Sequence, residues 1–375
     1  MKTGYFRSPL KESGGWSAYI DLLEVMGMLF VLAYHLSNYS YKFLEDPRLV
    51  TVVQHYLRSV LVCCVPVFLL CNGYLLFRHD LDLKKHLKKV LRFAVAGLFW
   101  GAVTLWVYNR VSGVTCSGWD FIWDMLTWRG AVIHLWYIGQ LVVIYLCFPI
   151  LKAAYDRDRR LMLYAAAFLA LFTFGNRLVN CLYTIYMGFI KGIPLSGAYT
   201  YNWFTMFHPV PYVPGFTFVY FCLGPFLPDL FHRLERFTRR RVNTVTGIAL
   251  GLTCAVHTVF FALISRAIGD YYCPIWYGYE SVSGFVITLC MVILLANYQG
   301  VRPGPARVLR WYSRSTLGVY YVHVVPIHIF GEWLMSVGFL YNLPGNLLCA
   351  AILGAVCTLF TAAVKKIPVL KYLVS

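Results

Sequence analysis

The sequence predicts an all-α, polytopic integral-membrane helix bundle of about ten transmembrane helices. Three observations carry that prediction. Hydrophobic residues make up 59% of the 375 residues and charged residues only 13%, about half the charged share of an ordinary soluble domain. Mean hydropathy is +0.63, so lipid rather than a water-bounded core must receive the apolar surface. The 11 Trp, 28 Tyr and 27 Phe suit the aromatic belts that gather at membrane interfaces.

The spans fall at roughly 18–39, 52–77, 90–108, 131–151, 161–175, 212–229, 243–265, 281–299, 315–336 and 345–364. The first is too long for a signal-peptide core and lacks a small-residue cleavage pattern, so it reads as the first helix. The second carries an apolar run from Val65 to Phe77. The third follows a basic stretch, Asp82 to Arg92, and the fourth opens at His134. The fifth is the shortest. An aromatic, Pro-rich stretch, Tyr201 to Pro214, precedes the sixth and reads as an interfacial belt or a sugar platform. The ninth holds Tyr320, Tyr321, His323, Pro326 and His328. No Gly-, Ser- or Pro-rich spacer divides the chain and no internal repeat is evident, so residues 1–375 read as a single domain.

The net charge of +17 does not point to nucleic acid, because its distribution is that of a membrane protein. The even-numbered loops and both tails hold most of the Lys and Arg, in groups at Lys2–Lys11, Arg78–Arg92, Lys152–Arg160, Arg233–Arg241, Arg302–Arg314 and Lys365–Lys371. The positive-inside rule then puts both termini in the cytosol. A basic cytosolic face also suits anionic lipid headgroups or a phosphorylated cofactor.

Most of the 12 Cys fall in spans and read as apolar packing. Cys116, Cys181 and Cys273 lie on the predicted outer side, where three thiols allow one disulfide and leave one over. No Cys or His grouping has metal-site spacing, so no metal is expected.

Ionisable side chains at membrane depth mark function by default. His35 lies inside the first span, with Asp21, Glu24 and Met28 at spacings of 14, 11 and 7 residues before it. Those spacings are near whole helical turns, so the four share a face. His35 stands about 16 Å along the axis from Glu24. His134 is expected at the outer end of the fourth helix and His323 near mid-depth of the ninth. A neutral imidazole takes a proton from a hydroxyl, which makes His35, His323 and His134 candidate acid–base residues. The competing reading is a histidine satisfied by a neighbouring helix, and for Asp21 and Glu24 simple snorkelling. Lys85, Lys89 and Arg92, spaced by four and three, share a helical face that suits a nucleotide phosphate. Positive-inside topology explains them equally well. No Gly-rich phosphate loop is present, which argues against a nucleotide-hydrolysing engine.

Several segments resemble the acyltransferase-3 family of polytopic membrane acyltransferases. Ile20-Asp21-Leu22-Leu23-Glu24 through Tyr34-His35 is similar to the family's opening helix. Val65-Pro66-Val67-Phe68-Leu69-Leu70-Cys71-Asn72-Gly73-Tyr74-Leu75-Leu76-Phe77 resembles its VPLFFxxSGYLLF segment. His134-Leu135-Trp136-Tyr137 with Pro149-Ile150-Leu151 resembles its HLWFL…LPIL helix. Phe221-Cys222-Leu223-Gly224 is similar to FLLG, and Ser313 through His323 to SKxSFGIYLIH. The matches keep the family's order over nearly the whole chain.

The resemblance implies a ten-helix bundle in a bacterial plasma membrane, using cytosolic acyl-CoA, most often acetyl-CoA. The acceptor it implies is a hydroxyl of an envelope glycan or lipid-linked sugar. It makes His35 the essential histidine and Lys89-Val90-Leu91-Arg92 the counterpart of a donor-associated R-x-x-R pair. Two positions depart from the pattern. Glu24 stands where the family commonly has Arg or Lys, and Asn72 where Ser is usual. Glu24 is expected to find a basic partner, to mark a subfamily, or to mark weak or lost catalysis. On this reading His35 is the general base, with Glu24, His323 and His134 in the catalytic set. Tyr320, Tyr321, Asn72 and His134 are candidate oxyanion or substrate contacts. A proton-coupled transporter or flippase is the rival class, and an inactive scaffold the third. The absence of a repeat speaks against the transporter.

Overall fold

The computed structural model describes residues 4–10, 17–36, 48–114, 117–127, 129–193, 215–296, 303–337 and 342–374. Among these residues the chain is helical, with no strand and a single isolated bridge, Tyr5 to Thr238. The helices are α1 (Ala18–Leu36), α2 (Leu49–Arg58), α3 (Cys64–Phe77), α4 (Leu83–Ser112), α5 (Gly118–Thr127), α6 (Trp136–Arg157), α7 (Arg159–Ala170) and α8 (Asn176–Ile185). Then follow α9 (Gly215–Leu223), α10 (Leu227–Leu234), α11 (Arg239–Ile268), α12 (Val282–Leu295), α13 (Pro303–Ser313), α14 (Thr316–Val322), α15 (Val324–Ser336) and α16 (Leu343–Val364).

Seven helical stretches among the described residues are long and apolar enough to cross a membrane. They are Ala18–Leu36, Leu49–Phe77, Leu83–Ser112, Gly118–Arg157, Arg159–Ile190, Arg239–Ile268 and Leu343–Val364. Two shorter apolar helices, Val282–Leu295 and Thr316–Gly331, lie where the eighth and ninth spans are expected.

The fifth element departs most from its expected extent. Instead of stopping near 175, the helix runs from Arg159 to Ile190 through π-helical turns at Leu171–Gly175 and Tyr186–Ile190. Gly175-Asn176-Arg177 looks like a helix end in sequence. The helix runs on past that point, and there Arg177 pairs with Glu280 inside the fold. Cys181, expected on an outer loop, is consequently buried on α8 beside Phe261, Ile264 and Tyr272. Cys181 and Cys273 both carry free thiols. Cys116 and Tyr201–Pro214 lie outside the described residues.

α3 is the central helix. Every residue from Cys64 to Cys71 is buried, as an all-round apolar pattern requires. It packs on α1 and α9. The approach to α9 is backbone to backbone: a Cβ at Gly73 would lie 2.0 Å from the Phe221 carbonyl oxygen. One at Gly224 would lie 2.4 Å from that of Leu70. Small residues permit this contact, which packs helices where lipid gives them no hydrophobic drive.

The basic end of the bundle is tied by both terminal segments. Near the N-terminus, Phe6 donates its backbone N–H to Phe237 O at 3.0 Å, and Ser8 donates to Glu235 Oε1 at 2.9 Å. Near the C-terminus, Trp100 Nε1 donates to Leu373 O at 2.7 Å, and the Arg92 guanidinium lies 5.0 Å from the Tyr372 ring centre.

Candidate active site

α1 supplies two groups of the site, and residues 313–323 bracket both. At the basic end, Ser313 Oγ lies 2.7 Å from Asp21 Oδ1 and 2.7 Å from Glu24 Oε2. Eleven residues along α1, the His35 ring centre lies 5.0 Å from that of His323. The two stretches therefore run parallel, Glu24 to His35 beside Ser313 to His323. Glu24 thus has a hydroxyl as its hydrogen-bond partner, shared with Asp21, where a cation is one expectation from sequence.

His323 sits at the break between α14 and α15. Pro326 follows it; a proline ring clashes with the carbonyl four residues back, here Val322, and the helix loosens. His323 Nδ1 lies 2.8 Å from Tyr320 O and 3.3 Å from Val319 O. Carbonyls only accept, so Nδ1 carries the hydrogen and Nε2 is left an acceptor. That Nε2 is buried and has no hydrogen-bond partner among the described residues.

His134 comes from the 3₁₀ turn Gly130–Leu135 that leads into α6. Its ring centre lies 5.4 Å from that of His323, so His323 neighbours both His35 and His134. Both ring nitrogens of His134 are buried and unpartnered among the described residues. Each such atom costs about 1–3 kcal/mol, and orphaned buried nitrogens mark places where a ligand, water or function is missing from the account. His328 lies farther out, with Nε2 3.3 Å from Ala131 O and its ring against Tyr108.

A cavity of about 200 Å³ opens beside these rings. His35, His134 and Tyr320 line it, with Val31, Val65 and Ile133. Tyr34, Trp136, Trp276 and Tyr279 add aromatic surface. Trp136 meets Trp276 edge to face at 5.2 Å and lies near-parallel to Tyr279 at 6.3 Å. Burial holds the Tyr279 phenol well above its ordinary range, so it keeps its hydrogen. Sequence reading did not single out Trp276 and Tyr279. The aromatic run Trp276-Tyr277-Gly278-Tyr279 beyond α11 is the signal that could have found them.

Tyr320 lines the cavity but gives its phenol hydrogen to His134 O, whereas Tyr321 turns away and donates to Phe93 O at 3.3 Å on α4. Asn72 turns away from the histidines: Nδ2 donates to Phe68 O at 2.9 Å, and Oδ1 accepts from Tyr145 OH at 2.8 Å. The Tyr145 ring in turn lies 5.1 Å from Lys89 Nζ. Asn72 and Tyr145 therefore stand next to the basic group rather than the imidazoles.

Of the basic three, Lys85 is exposed and bound to Asp82 at 3.0 Å. Hydrogen bonds from the Lys85 backbone N–H and ammonium hold the Asp82 carboxyl below the usual range. Asp82 caps α4 through that backbone bond, so Lys85 serves the helix start. Lys89 and Arg92 lie instead over the aromatic rings of Tyr145 and Tyr372. Among the described residues no group of three or more His, Cys, Asp or Glu has the geometry to hold a metal ion.

Comparison with known proteins agrees with the motif order. A family model described as an acyltransferase domain, that of the acyltransferase-3 family, matches residues 17–364. Neither the curated proteins nor the solved structures gave a match. The matched region runs from the start of α1 to the end of α16, taking in the three histidines and all seven long apolar stretches. The chain belongs to the acyltransferase-3 family of multi-pass membrane acyltransferases.

Proposed function

We propose that the protein is an O-acyltransferase that moves an acyl group, by preference acetyl, from cytosolic acyl-CoA to a hydroxyl of an envelope glycan or lipid-linked sugar. The supporting observation is that His35 and His134, from two separate segments, line one aromatic-walled cavity, with His323 of a third segment packed against both rings. The proposed setting is a bacterial plasma membrane with both termini cytosolic. The charge distribution supports that orientation, and the terminal segments tied into the basic end agree with it.

In this reading His35 is the general base. The residue lines the cavity, its ring beside those of Tyr34 and His323. It takes the proton of the acceptor hydroxyl as the oxygen adds to the thioester carbonyl. The carbon–sulfur bond then breaks, the ester remains on the acceptor, and the departing thiolate receives that proton from His35. His323 Nε2 is the acceptor able to orient the His35 ring. The oxyanion needs a donor, and the phenol hydrogens of Tyr320 and Tyr321 are already given to carbonyls. One nitrogen of neutral His134 always carries a hydrogen, and His134 fits that role.

Lys89 and Arg92 are the proposed phosphate contacts for coenzyme A, with Asn72 and Tyr145 beside them. Lys85 acts through the α4 cap. Glu24, close to the basic end, would meet the donor's arm rather than the reacting carbonyl, about 16 Å further along α1. The test is release of free coenzyme A by membranes given acetyl-CoA and envelope glycan. His35→Ala at equal protein level abolishes release if the proposal holds. Undiminished release removes His35 from the chemistry.

A further inference from the structure

Arg177 of α8 does not line the His35 cavity, yet it holds the segment that does. Its Nε donates to Glu280 Oε2 at 3.0 Å, its Nη2 donates to the same oxygen, and its Nη1 donates to Tyr272 OH at 2.8 Å. The guanidinium also lies 5.4 Å from the Tyr277 ring centre. Tyr272 and Tyr277 stack on one another at 4.0 Å and 6°. One side chain therefore grips three residues of the stretch between α11 and α12. Between them stand Trp276 and Tyr279, the aromatic wall of the cavity.

The same stretch is pinned from its other face. His257 Nε2 donates to Pro274 O at 3.0 Å, and Nδ1 accepts from Ser283 Oγ at 2.8 Å. A Cβ at Gly278 would lie 2.7 Å from Val62 and 2.9 Å from the His257 ring, so the loop packs closely on α11 and on the turn before α3. Arg177 of α8 and His257 of α11 thus hold the same stretch from two helices. A planar guanidinium with several aimed donors fixes orientation as well as distance.

We propose that Arg177 and Glu280 are positioning residues for acceptor recognition: their ion pair sets Trp276 and Tyr279 as the stacking wall on which a sugar ring presents its hydroxyl to His35. This inference rests on the acyl-transfer reading of the cavity. Aromatic faces bind the C–H face of a pyranose through dispersion and burial, and such contacts act only when the rings are held.

The probe is acetyl-CoA with envelope glycan from cells lacking the protein, each titrated separately against coenzyme A release in membranes. Arg177→Ala raises the apparent KM for glycan roughly tenfold or more, and the KM for acetyl-CoA stays at the wild-type value. Trp276→Ala and Tyr279→Ala each do the same, and adding Arg177→Ala to the Trp276→Ala/Tyr279→Ala pair costs nothing further, because Arg177 acts through those two rings. Arg177→Lys restores part of the loss and Glu280→Gln reproduces it, which keeps the test open if Arg177→Ala does not fold. Equal losses toward both substrates, or a further loss from Arg177→Ala in the Trp276→Ala/Tyr279→Ala background, overturn the positioning role. Undiminished release by His35→Ala overturns the reading beneath it, a separate outcome.

Discussion

Ser313 holds two carboxylates of α1 with one hydroxyl, and that arithmetic makes Ser313→Ala a sharp test. A hydroxyl has one hydrogen and two lone pairs. Ser313 Oγ lies 2.7 Å from both Asp21 Oδ1 and Glu24 Oε2, so it donates to one of them at a time. A hydrogen bond to a charged group contributes about 1.5–3 kcal/mol, and a buried polar group left without its partner costs about 1–3 kcal/mol. Removing the hydroxyl should therefore cost roughly 3 kcal/mol in total, a fall in melting temperature of about 5 °C or more in a chain this long. Glu24→Gln is the control. The amide can donate to Ser313 Oγ and release the hydroxyl hydrogen to Asp21 for good, so stability should stay within about 1 kcal/mol of wild type or rise. Melting in detergent, followed with a thiol-reactive dye that reports the buried Cys71 and Cys222, reads both variants. If Ser313→Ala melts within 1 °C of wild type, to order of magnitude no bridge exists. If Glu24→Gln falls as far as Ser313→Ala, the site holds the Glu24 charge and not the shared hydrogen bond.

Three further outcomes follow from the geometry. Gly224→Ala places a Cβ 2.4 Å from Leu70 O and should destabilise by about 1–3 kcal/mol through separation of α3 and α9, seen in the same melt. Lys89→Ala with Arg92→Ala should raise the KM for acetyl-CoA about tenfold or more through lost charge-assisted contacts, with the glycan KM unchanged; titration of donor and acceptor separately checks it. Lys85→Ala should leave both KM values within about twofold, because an exposed, solvent-screened pair such as Lys85–Asp82 contributes little.

What the sequence made legible was spacing along a helix. The register of Asp21, Glu24 and His35 placed them on one face, and the structure engages Glu24 and His35 with one parallel partner stretch. What it left hidden was the identity of neighbours across the bundle. Asn72 and Tyr321 have the right chemistry and depth for the cavity, but each turns to another helix, Asn72 to Tyr145 and Tyr321 to Phe93. Periodicity gives a face without saying which helix lies opposite it. The extent of the fifth helix was hidden for the same reason. Gly175-Asn176 reads locally as a helix end, whereas the helix runs on and pairs Arg177 with Glu280, 103 residues later. Lys85 shares its face with Lys89 by spacing, and across the helix start its ammonium lies 3.0 Å from the Asp82 carboxylate.

The parallel pairing of α1 with residues 313–323 also sets the order in which the protein can be made. Ser313 emerges from the ribosome 289 residues after Glu24. Until then α1 must lodge in the bilayer with two carboxylates and no hydroxyl between them, a placement that membranes resist. α1, made long before Ser313, thus waits for its partner until late in synthesis. Chains interrupted before Ser313 should carry a poorly anchored α1, marked for quality control rather than left as a stable partial bundle.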